Sequence, residues 1–229
     1  MSRILYSLCG ADSERPFSPH CWKVVMALDH KGLEFTEQPG PFTAIPSLEN
    51  GFSKTVPVLR DGDLLVRDSF DIALYLDEAY PDRPSLFGGE GGKALARFVE
   101  GFSQTLLHPA ITKMALLSIH GMLADKDQAY FRASREARFG KTLEEVAAEA
   151  EAEKAAFPAK LEPLRHMLKF QPYFGGETPL FADYIVFGAF QWGRITAGLS
   201  LFAEDDPVGH WFDRCLDLFN ARGRTVTPA

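Results

Sequence analysis

A stretch of twelve residues, Pro81 to Gly92, divides this chain into halves that obey different periodicities. It holds two prolines and four glycines, which interrupt helices and strands alike. Ahead of it the apolar pattern changes period repeatedly. Ile4 to Leu8 is a short apolar run fit for a buried strand, and Pro19 to Lys31 carries Trp22, Val25, Met26 and Leu28 with helical spacing. Leu33 to Glu37 predicts a second strand, and Pro39 to Asn50 a loop with about one helical turn. Val56 to Leu59 and Leu64 to Val66 read as strands joined by Asp61-Gly62-Asp63, a hairpin signal. Ile72, Leu76 and Tyr80 make Ser69 to Tyr80 a helix. The order βαβ then ββα predicts an α/β domain of thioredoxin-like layout over residues 1–80, with 81–92 as linker.

Residues 93–229 carry no strand pattern and predict an all-α helical domain. Lys93 to His120 reads as a long helix that Pro109 must kink or break, and Asp125 to Arg138 as a second. Thr142-Leu143-Glu144-Glu145 has the form of a capping box, opening a helix that Phe157-Pro158 interrupts. Ala159 to Phe170 follows, with Pro163 in its first turn or at a bend. Phe181 to Ala197 is the most apolar helix and therefore the central one, and Asp206 to Ala221 is the last.

Charge and cysteine usage exclude several functions. The net charge is −7 and no basic block occurs, which argues against nucleic acid or an anionic membrane as partner. No apolar run reaches the roughly 18 residues of a membrane span. Cys9, Cys21 and Cys215 are widely spaced and read as free thiols of a reducing compartment. The first strand begins so close to Met1 that no leader fits ahead of it, so a cytoplasmic location is expected. The six histidines lack metal-ligand spacing, and no metal is expected.

Ser18-Pro19-His20-Cys21 sits between the first strand and the first helix. Ser18 suits the N-cap and Pro19 the first helical position, where a missing N–H costs nothing. A helix start exposes unpaired N–H groups and the positive end of a dipole, which together stabilise an anion. Thiol-disulfide enzymes place Cys-x-x-Cys at such a junction. Here the first thiol is replaced by a hydroxyl, which cannot attack but can hydrogen-bond a sulfur supplied by another molecule. On the residues alone Ser18 is equally a plain helix cap, Asp68-Ser69 another, Lys54 a solvated lysine, and Val56-Pro57 a trans peptide.

The chain resembles the cytosolic glutathione transferases over nearly its whole length. The matching elements are Ser18-Pro19, Val56-Pro57, Asp68-Ser69, Ala73 to Leu76, and Phe181 to Tyr184. Ser18 to Lys23, Ala27 to Gly32, Tyr75 to Phe87, Gly175 to Tyr184, and Glu204 to Pro207 with Asp213 to Phe219 are similar to the bacterial β-etherase branch and its fungal relatives. That resemblance implies glutathione as co-substrate, an apolar or aromatic electrophile as second substrate, possible cleavage of β-aryl ethers, and a homodimer. It implies Ser18 as donor to the glutathione sulfur, with Tyr6 on the first strand and Ser13 in the following loop as alternates. Lowering a thiol pKa by about two units needs roughly 2.7 kcal/mol, within reach of one hydroxyl and one helix end. It further implies a cis Val56-Pro57 bond with the Val56 backbone on the cysteinyl unit, Asp68 and Ser69 at the γ-glutamyl end, and Lys54 at the glycyl carboxylate. The second substrate is expected between the domains, near Met114, Leu117, Phe190 and Trp192. A non-catalytic ligand binder and a glutaredoxin-like reductase using Cys21 are the competing classes. One departure is that the central helix lacks the family's Ser/Thr cap: Leu180 stands there, Asp183 remains, and Thr178 or an upstream carbonyl is the candidate substitute.

Overall fold

A computed structural model describes residues 2–229. Its N-terminal half is a four-stranded sheet in the order β2-β1-β3-β4, built from β1 (Arg3–Leu8), β2 (Thr36–Gly40), β3 (Val58–Asp61) and β4 (Leu64–Arg67). β1 pairs parallel with β2 and antiparallel with β3, and β3 pairs antiparallel with β4. α1 (Pro19–His30) is the crossover between β1 and β2, and α2 (Ser69–Ala79) follows the hairpin. The thioredoxin-like layout and the helical second half are both present.

β2 begins three residues later than Leu33 and runs through Pro39. Proline lacks the N–H that a central strand needs, but β2 is an edge strand with only β1 beside it. β3 starts at Val58 rather than Val56, just after Pro57, which has no N–H to give the ladder; the Val56-Pro57 bond is cis. The expected loop at 39–50 is largely a 3₁₀ segment, Phe42–Gly51, with a kink at Leu48 to Asn50.

The second half contains α3 (Glu90–Phe102), α4 (His108–Gly121), α5 (Asp125–Phe139), α6 (Leu143–Ala147), α7 (Ala150–Lys160), α8 (Glu162–Leu168), α9 (Phe181–Ala197) and α10 (Pro207–Ala221). The helix expected over 93–120, with a kink or break at Pro109, is broken just ahead of that proline into two, joined by a π turn at Ser103–Leu107. Pro109 cannot donate to the carbonyl four residues back, so it occupies the first turn of a new helix and the backbone widens ahead of it. Pro158, in contrast, lies inside α7, and the break comes at Leu161. Phe157, 1% exposed and edge-on to Phe190, holds that helix in place through the proline.

α9 is buried along nearly its whole length and packs against α1, α3 and α4. Its first turn is organised by Asp183, which accepts from the backbone N–H groups of Phe174, Gly175 and Leu180 and from the Trp211 indole at 2.8–2.9 Å. The Leu180 carbonyl accepts from the Asp183 N–H at 2.9 Å, so a backbone oxygen takes the place of the missing hydroxyl and Thr178 does not. Burial still outweighs the bonds that Asp183 accepts and pushes its carboxyl up to about 6. Among the described residues no helix is long and apolar enough to cross a membrane.

Candidate active site

Ser18 is held in place before α1 begins. The Phe17 N–H donates to the Leu8 carbonyl at 3.0 Å, and the Trp22 indole donates to the Pro16 carbonyl at 3.1 Å. The first bond fastens the loop to the end of β1, and the second fastens it to α1. Ser18 has extended backbone angles, and its Oγ accepts from the Cys21 N–H at 3.3 Å. A capping oxygen accepts through a lone pair and keeps its hydrogen. Capping and donation to an external sulfur are therefore compatible at one hydroxyl.

Although only 4% exposed, Ser18 lines a cavity of about 680 Å³ between the two halves. One wall is the first turn of α1 with Thr55 and Val56; the other is the start of α4 and the inner face of α5. A second recess of about 370 Å³ lies beside it, bounded by Ser53, Arg67, Asp68 and Asp71. Lys54 and Thr55 line both, so the two recesses share that wall.

The expected glutathione residues are distributed as follows. Ser18, Lys54 and Val56 face the large cavity, and Lys54 and Asp68 the small one. Asp68 caps α2 at a φ of +69°, and its Oδ1 accepts from both Phe70 N–H (2.8 Å) and Asp71 N–H (3.2 Å). Both caps fall on one oxygen, leaving Oδ2 for another donor. Ser69 is buried, lines neither recess, and its Oγ has no partner. Pro57 lies behind Val56 and also lines neither.

The alternates to Ser18 are placed differently. The Tyr6 hydroxyl donates to Glu49, which also holds Arg60, and Tyr6 lines neither recess. Ser13 is exposed in its loop and lines neither. Cys21 is 1% exposed, and burial pushes its thiol up to about 12, so no thiolate forms there near neutrality.

Three of the four residues expected around the second substrate need correction. The cavity-facing stripe of α4 runs through Pro109, Thr112, Leu116 and Ile119 at helical spacing. That register leaves Met114 on the core side and Leu117 43% exposed. Phe190 lies in an aromatic cluster, its ring 5.0 Å from Phe202 and 6.0 Å from Phe212. Trp192 does line the cavity.

The residues missed are cationic or imidazole-bearing. His20 and His108 stack at 5.3 Å, and His108 stacks on Trp192 at 5.7 Å. Burial, reinforced by Lys23, pushes His20 down to about 3, and burial with His20 does the same to His108. Both rings are therefore neutral at neutral pH, and the His108 Nε2 has no partner. Arg135 and Arg138 on α5 complete the wall. Their i,i+3 spacing was the available signal, but the direction in which α5 faces is set by tertiary packing.

Residues 13–84 match the glutathione S-transferase N-terminal domain model, and residues 94–217 match the C-terminal domain model of the same family. The chain belongs to the glutathione S-transferase family. Glutathione is the co-substrate of these transferases. The chain is 26% identical over 213 residues to a glutathione S-transferase-like protein, ustS, of Aspergillus flavus, covering 80% of this transferase and 76% of the relative. Among solved structures it resembles glutathione transferase GSTFuA3 of Phanerochaete chrysosporium, with a TM-score of 0.83, 25% identity, and 96% and 97% of the two chains covered. A Ceriporiopsis subvermispora glutathione S-transferase in complex with glutathione superimposes with a TM-score of 0.78 at 25% identity, covering 96% of each chain.

Proposed function

We propose that this transferase binds glutathione across the two recesses and holds its sulfur as a thiolate at Ser18, for attack on an apolar or aromatic electrophile in the larger cavity. In this reading the Ser18 hydroxyl and the start of α1 stabilise the anion. The Val56 backbone meets the cysteinyl unit, and Lys54 the glycyl carboxylate. The free Oδ2 of Asp68 meets the γ-glutamyl ammonium, and the Ser69 N–H its carboxylate. Conjugation and β-aryl ether thiolysis both fit this site. In the ether reaction sulfur bonds to the carbon beside a ketone as the C–O bond breaks and a phenolate leaves. The resemblance of the segments Ser18 to Lys23 and Tyr75 to Phe87 to the etherase branch supports placing the ether reaction within the proposal.

One observation carries the reading: Ser18 lines the interdomain cavity with its Oγ at the start of α1, whereas the cysteine at that turn is buried and protonated. Titration calorimetry with glutathione, followed by turnover assays on chlorodinitrobenzene and on a model β-aryl ketone ether, tests it. Binding with turnover of either compound is expected. No heat at millimolar glutathione would end the proposal, and binding without turnover would leave a ligand carrier. The proposal extends to a cytosolic homodimer, as the resemblance implies. A monomer mass in sedimentation equilibrium at micromolar concentration would remove that part.

A further inference from the structure

The cavity wall opposite Ser18 carries positive charge that the protein itself does not neutralise. Arg135 and Arg138 stand three residues apart on α5, and both line the large cavity. Arg135 is half-buried, its guanidinium 4.5 Å from the Phe131 ring and 5.4 Å from the Phe42 ring, with one side-chain bond, to Ser134 Oγ at 2.8 Å. Arg138 is exposed at the rim. Among the described residues no carboxylate lies within 4.0 Å of either, as the ion pairs of this chain involve neither residue. The other cations of that wall are occupied: Lys113 pairs with Glu149 at 2.9 Å and Glu153 at 3.2 Å, and Lys141 pairs with Glu149 at 2.9 Å.

This arrangement runs against the rest of the molecule. The chain carries a net −7, and on the same helix Arg132 holds both Glu136 (2.9 Å) and Glu144 (2.8 Å). Acidic partners are abundant, yet the two cavity-lining arginines lack one. Burial, with repulsion from Arg138, draws the Arg135 guanidinium below its ordinary value, a cost that an incoming anion would relieve. Phe42, Tyr130, Phe139 and Trp192 line the same space with aromatic surface.

We propose that the acceptor is an aromatic acid, its ring against Phe42 and Trp192 and its carboxylate or sulfonate on Arg135 and Arg138. Guanidinium forks match such oxyanions bidentately. The proposal rests on the cavity being the acceptor site of the transferase reading.

The test compares anilinonaphthalene sulfonate with N-phenylnaphthylamine, which has the same ring system without the sulfonate, by fluorescence titration. We expect the anion to bind about tenfold tighter, an advantage that shrinks with added salt. Arg135→Gln and Arg138→Gln should each reduce the preference to about threefold or less. Arg138 is exposed, so its variant folds normally, and Arg135→Lys should retain part of the preference by keeping the charge. Glutathione titrated into the same variants should bind as it does to the parent protein. Equal affinity for the two probes, no binding of either, or a preference that survives both glutamine variants would overturn the proposal. Absent glutathione binding with an intact sulfonate preference would instead remove the transferase reading alone.

Discussion

Ser18 performs two tasks with one hydroxyl, and substitution separates them. Ser18→Ala removes the cap, which costs about 1 kcal/mol, and removes the donor to sulfur. We expect thiolate absorbance of bound glutathione to fall sharply while glutathione affinity changes little. Ser18→Thr should restore both, since threonine caps and donates. Thiolate absorbance unchanged in the alanine variant would transfer the role to another group. His20 and His108 bear on pH dependence. In the unfolded chain an imidazole takes a proton near pH ~6.5, whereas in the fold both are held down to about 3. Between those values the unfolded chain binds more protons, so stability rises with pH across the window and levels off above ~6.5. Asp183, raised to about 6, pulls the opposite way, since it takes its proton more readily in the fold. His108→Phe keeps the aromatic stack and deletes one titration. The difference in urea midpoint between roughly pH 5 and pH 7 should narrow in that variant. An unchanged difference would mean that acid acts elsewhere. These histidines read as surface or hydrogen-bonded residues in the sequence, because their contacts, His20 with His108 and His108 with Trp192, join elements far apart in the chain.

At the scale of elements, α1 and α9 determine where Ser18 sits. Gly188 of α9 lets the two backbones meet: a Cβ there would lie 2.3 Å from the Pro19 carbonyl oxygen. Gly188→Ala should therefore push the first turn of α1 outward, costing about 1–3 kcal/mol and lowering turnover beyond what the stability loss explains. A variant with a normal melting midpoint and full activity would show that the helices yield freely. Most elements were legible because local chemistry and tertiary packing agree. α9 is the clearest case, with predicted and observed limits both at Phe181 and Ala197. The misplacements are informative for the same reason. Pro39 looked like a loop residue because edge position in a sheet has no local signature. Pro158 looked like a terminator because the grip of the core on Phe157 cannot be seen from neighbours in sequence. Met114, Leu117 and Phe190 are apolar residues on α4 and α9, but rotation about a helix axis decides between cavity, core and solvent, and that rotation is set by packing.

Across the whole molecule, ties between the halves favour a single cooperative unit. Arg222 reaches Asp29 through two bonds of 2.5 and 3.0 Å, His30 and the Tyr184 hydroxyl share a hydrogen bond of 2.6 Å, and Arg15 donates to the Ile195 carbonyl at 2.8 Å. Trp22 meets Phe187 edge-on at 6.1 Å, within a core that is continuous from one half to the other. Calorimetry should give one unfolding transition, and Arg222→Ala should shift it by an amount equivalent to about 1 kcal/mol without splitting it. Two transitions would mean that the halves unfold separately.

Lys54 and Thr55 form a partition with a compartment on each side. A ligand that spans the partition and shifts this short piece of backbone alters the room left for a second occupant of the larger compartment, which couples the two. Whatever factor one exerts on its neighbour's affinity is returned in full, because free energy around a closed cycle sums to zero.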